Sequence, residues 1–162
     1  MIGRSRRDGA AALRDRPRPA PAAPGFRTVP HISDVGLEIR GRTWEELYLN
    51  AARGLLSLYA PEGKPLKESV RKAAVEAESP EDTLVLWLNE LIFLVSTKHW
   101  LPTRIIIREG GPKGLEAELR GGPTDAAQRP IRLKGEIKAA TYHNLKVRRR
   151  GAFLSAGIVL DV

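Results

Sequence analysis

At 162 residues, 42% of them apolar, the chain can enclose one hydrophobic core but not two, so a single domain is expected. It has no cysteine, which excludes disulfides, thiolate nucleophiles and zinc–thiolate centres and leaves oxygen or imidazole donors for any metal. The formal charge of +8 is unevenly placed, because residues 1–25 hold six Arg against two Asp and so carry half of the excess.

That opening segment is mostly Ala, Pro, Gly and Arg with no hydrophobic period. It cannot bury enough surface to offset its conformational entropy, so residues 1–25 are expected to form a disordered basic tail ahead of a domain over residues 26–162. Ser5-Arg6-Arg7 has the look of a twin-arginine signal, but no apolar h-region follows, and export is not expected. The longest apolar stretch, residues 84–95, is interrupted by Asn89-Glu90 and falls short of the roughly 20 residues a bilayer needs. No membrane span is predicted, and absence of cysteine is compatible with a cytoplasmic location.

Val35, Leu37 and Ile39 alternate with Gly36, Glu38 and Arg40, the period-2 pattern of a half-buried strand. Thr43-Trp44-Glu45-Glu46 then reads as a capping box, and Leu47, Ala51, Leu55 and Leu58 share one face of a helix running to about Tyr59. A second strand is predicted over residues 69–78. Ser79-Pro80-Glu81-Asp82 starts a second helix, with serine at the N-cap, proline at the first helical position and acids over the positive dipole end. Its apolar residues cover most of its circumference, which marks it as the central core helix. Residues 103–109 and 115–121 form a predicted hairpin around Gly110-Gly111-Pro112-Lys113-Gly114, followed by a polar loop to Pro130. Two further strands are predicted, one over residues 132–147 with a break and one over residues 153–162, joined by a hairpin tip at Arg148-Arg149-Arg150-Gly151. Together these elements predict an α+β fold, a single compact domain with two main helices on a mostly antiparallel sheet.

The acidic candidates lie at the two ends of this pattern. Asp34 opens the first strand, and Asp161 stands one residue from the α-carboxylate of Val162. Like charges placed together repel unless a cation lies between them, so a shared site would be an oxygen site for a hard cation such as Ca²⁺, Mg²⁺ or Mn²⁺. Asp34 alone reads equally as a turn residue bonding its own backbone. Lys138, Thr141, Tyr142 and His143 are predicted on one strand, with Lys138, Ala140 and Tyr142 on one face and Ala139, Thr141 and His143 on the other. Lys138 could pair with carboxylates or meet a phosphate. His31 and His143 are candidate ligands or general bases, with surface or capping roles as the plainer alternative. His99, at a helix end, reads as capping alone. No Gly-rich phosphate loop, nucleophile elbow or metalloprotease helix motif occurs.

The ordered set His31-Ile32-Ser33-Asp34-Val35-Gly36, Thr43-x-x-Glu46-Leu47 with Asn50-Ala51-Ala52, Leu86-Trp87-Leu88-Asn89-Glu90-Leu91, Glu136-Ile137-Lys138-Ala139-x-Thr141-Tyr142-His143 and Leu160-Asp161-Val162 resembles the archease family across about residues 25–162. The family usually has Thr-Ala where this chain has Ile32-Ser33; Asp34 and His31 are in place. The resemblance implies a strand-helix-strand-strand module elaborated into one domain, and an accessory protein instead of a stand-alone enzyme. The expected partner is the GTP-dependent RNA-splicing (tRNA) ligase, whose guanylylation and multiple turnover archeases promote, with RNA met indirectly and neither membrane nor DNA contacted. A divalent site, assigned to calcium in the family, maps by resemblance onto Asp34, Asp161 and Val162, with Lys138, His31 and His143 in supporting or partner-contact positions. Mn²⁺ or Mg²⁺ are alternatives for the working ion. Two other classes fit the residues: an RNA-binding adaptor using the basic tail and Arg148 to Arg150, and a metal-dependent phosphoesterase using the histidines and aspartates.

Overall fold

The computed structural model describes residues 24–30, 34–65, 67–124 and 131–162. Among the described residues ten strands and two helices follow in the order β1 (Gly25–Pro30), β2 (Asp34–Gly41), α1 (Trp44–Leu58), β3 (Glu62–Gly63), β4 (Ser69–Glu76), α2 (Pro80–Ser96), β5 (Trp100–Gly111), β6 (Gly114–Pro123), β7 (Ile131–Arg132), β8 (Ala139–Thr141), β9 (Val147–Arg150) and β10 (Phe153–Asp161). All pairings are antiparallel: a five-stranded sheet in the order β1-β2-β10-β8 with β9 also on β10, a three-stranded sheet β4-β6-β5, and the short pair β3-β7. Each helix touches both larger sheets, α1 lying on β2 and β5 and α2 on β8 and β5. The fold is α+β, one compact domain, as the sequence predicted.

The helix starts form for local reasons already visible in the sequence. Thr43 Oγ1 accepts the Glu46 amide at 3.1 Å, while Glu46 reaches back to the Arg42 amide, one residue further than a standard capping box. Ser79 Oγ accepts the Asp82 amide at 3.1 Å, with Pro80 just inside the helix. Helix α2 buries Leu84, Val85, Trp87, Leu88, Leu91, Ile92, Leu94 and Val95, and Trp87, fully enclosed, donates its indole N–H to Tyr48 O at 3.0 Å. Buried residues from both sheets and both helices form one cluster, which includes Leu37, Leu47, Leu119, Ile158 and Leu160. Gly41 allows the close approach of α1 to β2, since a Cβ there would sit 2.4 Å from Leu47 N.

Two expectations are corrected and one strand, β1, is additional to those predicted. Strand β1 was unassigned by pattern, because its Gly, Pro, Thr and Arg hide the alternation that its pairing with β2 imposes. The break expected within residues 132–147 is present, leaving β7, β8 and the start of β9 as the strand segments there. Val159 pairs with Thr141 and Ala156 with Val147, so residues 142–146 stand opposite only residues 157–158. The chain therefore makes a five-residue excursion, closed by a Leu145 amide bond to Tyr142 O at 3.1 Å and by Asn144 at φ 53°. Lys138, Tyr142 and His143 accordingly lie off the strand, and the two-face assignment made for them fails. Arg148, Arg149 and Arg150 are not a hairpin tip but part of β9, paired with Ser155, Leu154 and Phe153, and the turn is Gly151-Ala152 with Gly151 at φ 58°. Among the described residues no helix is long and apolar enough to cross a membrane.

Candidate functional site

Strands β2 and β10 are neighbours at the centre of the five-stranded sheet, and their register places Asp34 directly opposite Asp161. Leu37, Ile39, Ile158 and Leu160 fill the face covered by the helices. Strand alternation therefore turns Asp34, Gly36 and Glu38, with Asp161, Val159 and Gly157, to the opposite face. Directly opposed residues on an antiparallel pair hold their Cβ atoms about 5 Å apart, and like charges so placed destabilise the pairing. Both aspartates are half-buried. Val162 follows immediately and is 42% exposed. Acidic charge is thus concentrated at one end of an otherwise well-packed strand pair.

The neighbourhood is fixed by main-chain contacts. The Lys138 amide donates to Asp161 O at 2.8 Å, which brings the residue before β8 beside the aspartate, with the Lys138 side chain exposed. Asn89, the polar interruption of α2, clamps β8 from the core side: its Nδ2 donates to Ala140 O at 3.2 Å and its Oδ1 accepts the Ala140 amide at 2.9 Å. Ala140 pairs in turn with Leu160, next to Asp161. At the far side of the excursion, Glu81 Oε1 accepts the Val147 amide at 2.9 Å. The Tyr142 phenol is pushed above its ordinary value by desolvation and by a hydrogen bond with the Asp82 carboxylate. Glu81, in the first turn of α2, thereby anchors the far end of the five-residue excursion.

The excursion brings His143 and Asn144 to a shallow depression of about 320 Å³ lined also by Asp34, Glu38, Gly157 and Val159. The Asn144 side-chain amide lies 3.2 Å from His143 Nε2 and orients the ring. A Cβ built on Gly157 meets nothing within 4 Å, so the missing side chain leaves the floor of the depression open.

Of the residues singled out in the sequence, Asp34, Asp161 and Val162 come to one end of the sheet, Lys138 adjoins Asp161 through the main chain, and His143 shares the depression with Asp34. His31 lies outside the described residues, as does nearly all of the 1–25 tail. Among the described residues, no group of three or more His, Cys, Asp and Glu side chains is disposed to hold a metal ion. The side chains nearest to such a set are the two carboxylates of Asp34 and Asp161, oxygen donors of the kind hard cations take. The site reading missed Asn89 as a clamp and Asn144 as the left-handed residue of the turn. The signal for Asn89 was its place as a neutral polar residue in an apolar helix.

Fold and site together define a small two-helix α+β domain whose chemically concentrated end is the cross-strand carboxylate pair Asp34 and Asp161. The archease protein family (MTH1598/TM1083) matches residues 26–162. Protein archease of Thermotoga maritima is 36% identical over 137 residues, covering 83% of this chain and 98% of that protein. Protein archease of Archaeoglobus fulgidus is 29% identical over 139 residues, covering 85% of this chain and 98% of its own length. A crystal structure of an archease, described as a possible chaperone, from Thermotoga maritima superposes with a TM-score of 0.61 at 32% identity, covering 84% of this chain and 96% of that one. The chain belongs to the archease family.

Proposed function

We propose that this protein is an accessory activator of the GTP-dependent RNA-splicing ligase, with no catalytic turnover of its own, and that Asp34, Asp161 and the Val162 α-carboxylate hold a divalent cation for that role. The observation that carries the reading is the direct register of Asp34 with Asp161 one residue from the terminus. Two opposed carboxylates cost stability when they face each other alone, so their retention at the sheet's end is best accounted for by a cationic partner. A divalent ion there would supply charge neutralisation for phosphate oxygens. The chain's own residues do the rest. Lys138 N and Ala139 hold the Asp161 backbone, Asn89 holds β8, and the half-buried setting of the aspartates restrains them. Preorganisation of this kind lowers the cost of ordering the donors when an ion binds. His143 shares the depression with Asp34, where a phosphate-bearing partner surface would approach. The description of an archease as a possible chaperone supports an assisting role, and a cytoplasmic location suits a ligase partner.

The test mixes the cognate ligase, GTP and Mn²⁺ or Mg²⁺ with this protein and counts ligations per ligase. The parent raises the count above one, and Asp34→Ala or Asp161→Ala removes most of that gain. Full stimulation by either variant would refute the metal-site reading.

A further inference from the structure

The outer face that carries the carboxylates at one end is basic at the other. Arg40 pairs in register with Ser155, and Ser155 with Arg148, so a row crosses β2, β10 and β9 with an arginine on each flank. Phe153 pairs with Arg150 two residues along. Because Leu154 and Ala156 are buried on the helix side, Phe153, Ser155, Arg148 and Arg150 share the outer face with Arg40. The Arg40 guanidinium stacks 3.7 Å above the Phe153 ring, and that of Arg42 lies 5.7 Å from the same ring. Stacking on the ring fixes the plane of the Arg40 guanidinium and so holds a positive charge beside the ring.

Charge on an edge strand ordinarily serves to keep other sheets away. That role needs charges on β9 alone, whereas here arginines from β2, the β2–α1 junction and β9 converge around one half-buried aromatic ring. Among the described residues no ion pair engages Arg42, Arg148, Arg149 or Arg150. Glu38, the acid next along the outer face from Arg40, is bound to Arg27 and contributes no free negative charge. Arg148 and Arg150 stand about 7 Å apart along their strand, and the rows of the sheet are spaced at about 5 Å. The surface is therefore a lattice of fixed cations at intervals a flexible polyanion can follow, on an open sheet that presents no helix to a duplex groove.

We infer that the basic end of the five-stranded sheet, where Arg42, Arg148 and Arg150 stand beside the Arg40–Phe153 stack, binds the phosphodiester backbone of a single-stranded nucleic acid directly, through Arg42, Arg148 and Arg150. This goes beyond the activator reading, which leaves RNA to the ligase, and it needs neither the ligase nor a metal. Recognition through phosphates is sequence-independent, and its strength falls with salt as counterions are no longer released.

The experiment uses the full chain, fluorescein-labelled 20-nucleotide single strands of RNA and of DNA, and anisotropy between 50 and 200 mM salt with EDTA present. The parent binds, and Arg148→Gln/Arg150→Gln lowers the affinity about tenfold or more and reduces the slope of log K against log salt by about 1.4, at about 0.7 per contact. Arg42→Gln lowers both by a smaller amount. The control, Arg53→Gln/Arg104→Gln, removes the same charge from exposed positions on α1 and β5 and leaves the affinity within twofold of the parent. RNA and DNA arms that agree assign the site to the shared backbone, and an RNA arm alone narrows it to ribose-bearing strands. An unchanged affinity and slope in Arg148→Gln/Arg150→Gln overturns the inference. So does an equal loss in the control, which would make binding a matter of net charge. Poly-glutamate binding that disappears in the same variant while nucleic-acid affinity stays constant would give the surface to an acidic polypeptide and overturn it as well.

Discussion

Replacing Asp34 by Asn separates the two claims made about the carboxylate pair, because its effect on stability changes sign with the solution. The substitution keeps size and shape and deletes one charge opposite Asp161. At about 5 Å, two unit charges repel by ~0.8 kcal/mol at the dielectric of water, in line with the ~0.2–1 kcal/mol measured for opposed pairs on sheets. In chelator and low salt, Asp34→Asn should therefore be more stable than the parent by about 0.5–1 kcal/mol, a rise in Tm of roughly 1–4 °C for a chain of this size. A divalent ion at a hundred times its Kd adds about 2.7 kcal/mol to the parent, or roughly 5–11 °C, and should add far less to a variant with a broken donor set. The two melting curves thus exchange order when Ca²⁺ or Mn²⁺ replaces EDTA. Far-UV circular dichroism on heating reads both arms. The reasoning is refuted if the variant lies on the same side of the parent in both buffers.

Other predictions concern the frame that holds the site. Two buried tyrosines should behave oppositely: Tyr48 donates to Gly111 O at 2.6 Å, whereas the Tyr59 hydroxyl has no hydrogen-bond partner among the described residues. Tyr48→Phe should cost about 1–1.5 kcal/mol in urea unfolding, and Tyr59→Phe should be neutral or stabilising, since it removes a buried hydroxyl without breaking a bond. Burial raises both phenols from 10.0 to about 12 in the folded chain. Their raised folded values favour the neutral form, so this contribution is complete below pH 10 and disappears as pH climbs towards 12. The urea midpoint should fall across that window, and less steeply in the Tyr48→Phe/Tyr59→Phe double variant. Asn89→Ala strands both backbone groups of Ala140 and should cost about 2–4 kcal/mol. Amide exchange would then accelerate in β8 well before it does in β2.

What the sequence disclosed follows the range of the interactions concerned. Thr43-x-x-Glu46 and Ser79-Pro80-Glu81-Asp82 carry their helix starts within four residues, so both ends were legible. Alternation in residues 35–40 and 153–161 reflects a buried face that any register must respect, and both strands were found. The stretch from Lys138 to His143 looked like one strand because its residues suit a strand. Its excursion exists because β10 receives β8 and β9 on the same edge three residues out of phase, a fact no local pattern contains. The arginines of β9 were misplaced to a turn for a related cause: Gly151, the residue that makes the turn, stands at the end of the basic run. At the site, Asp34 and Asp161 were legible as candidates by type and position. Their opposition came only with the pairing of strands more than a hundred residues apart in sequence.

The most direct measurement is calorimetric titration of Ca²⁺ and Mn²⁺ into the parent, Asp161→Asn, and a parent extended by two glycines, which turns the Val162 carboxylate into an amide. The account predicts one ion per parent chain and at least a tenfold loss of affinity in each altered chain. Ion binding of equal strength in all three, or none in the parent across the millimolar range, would contradict it.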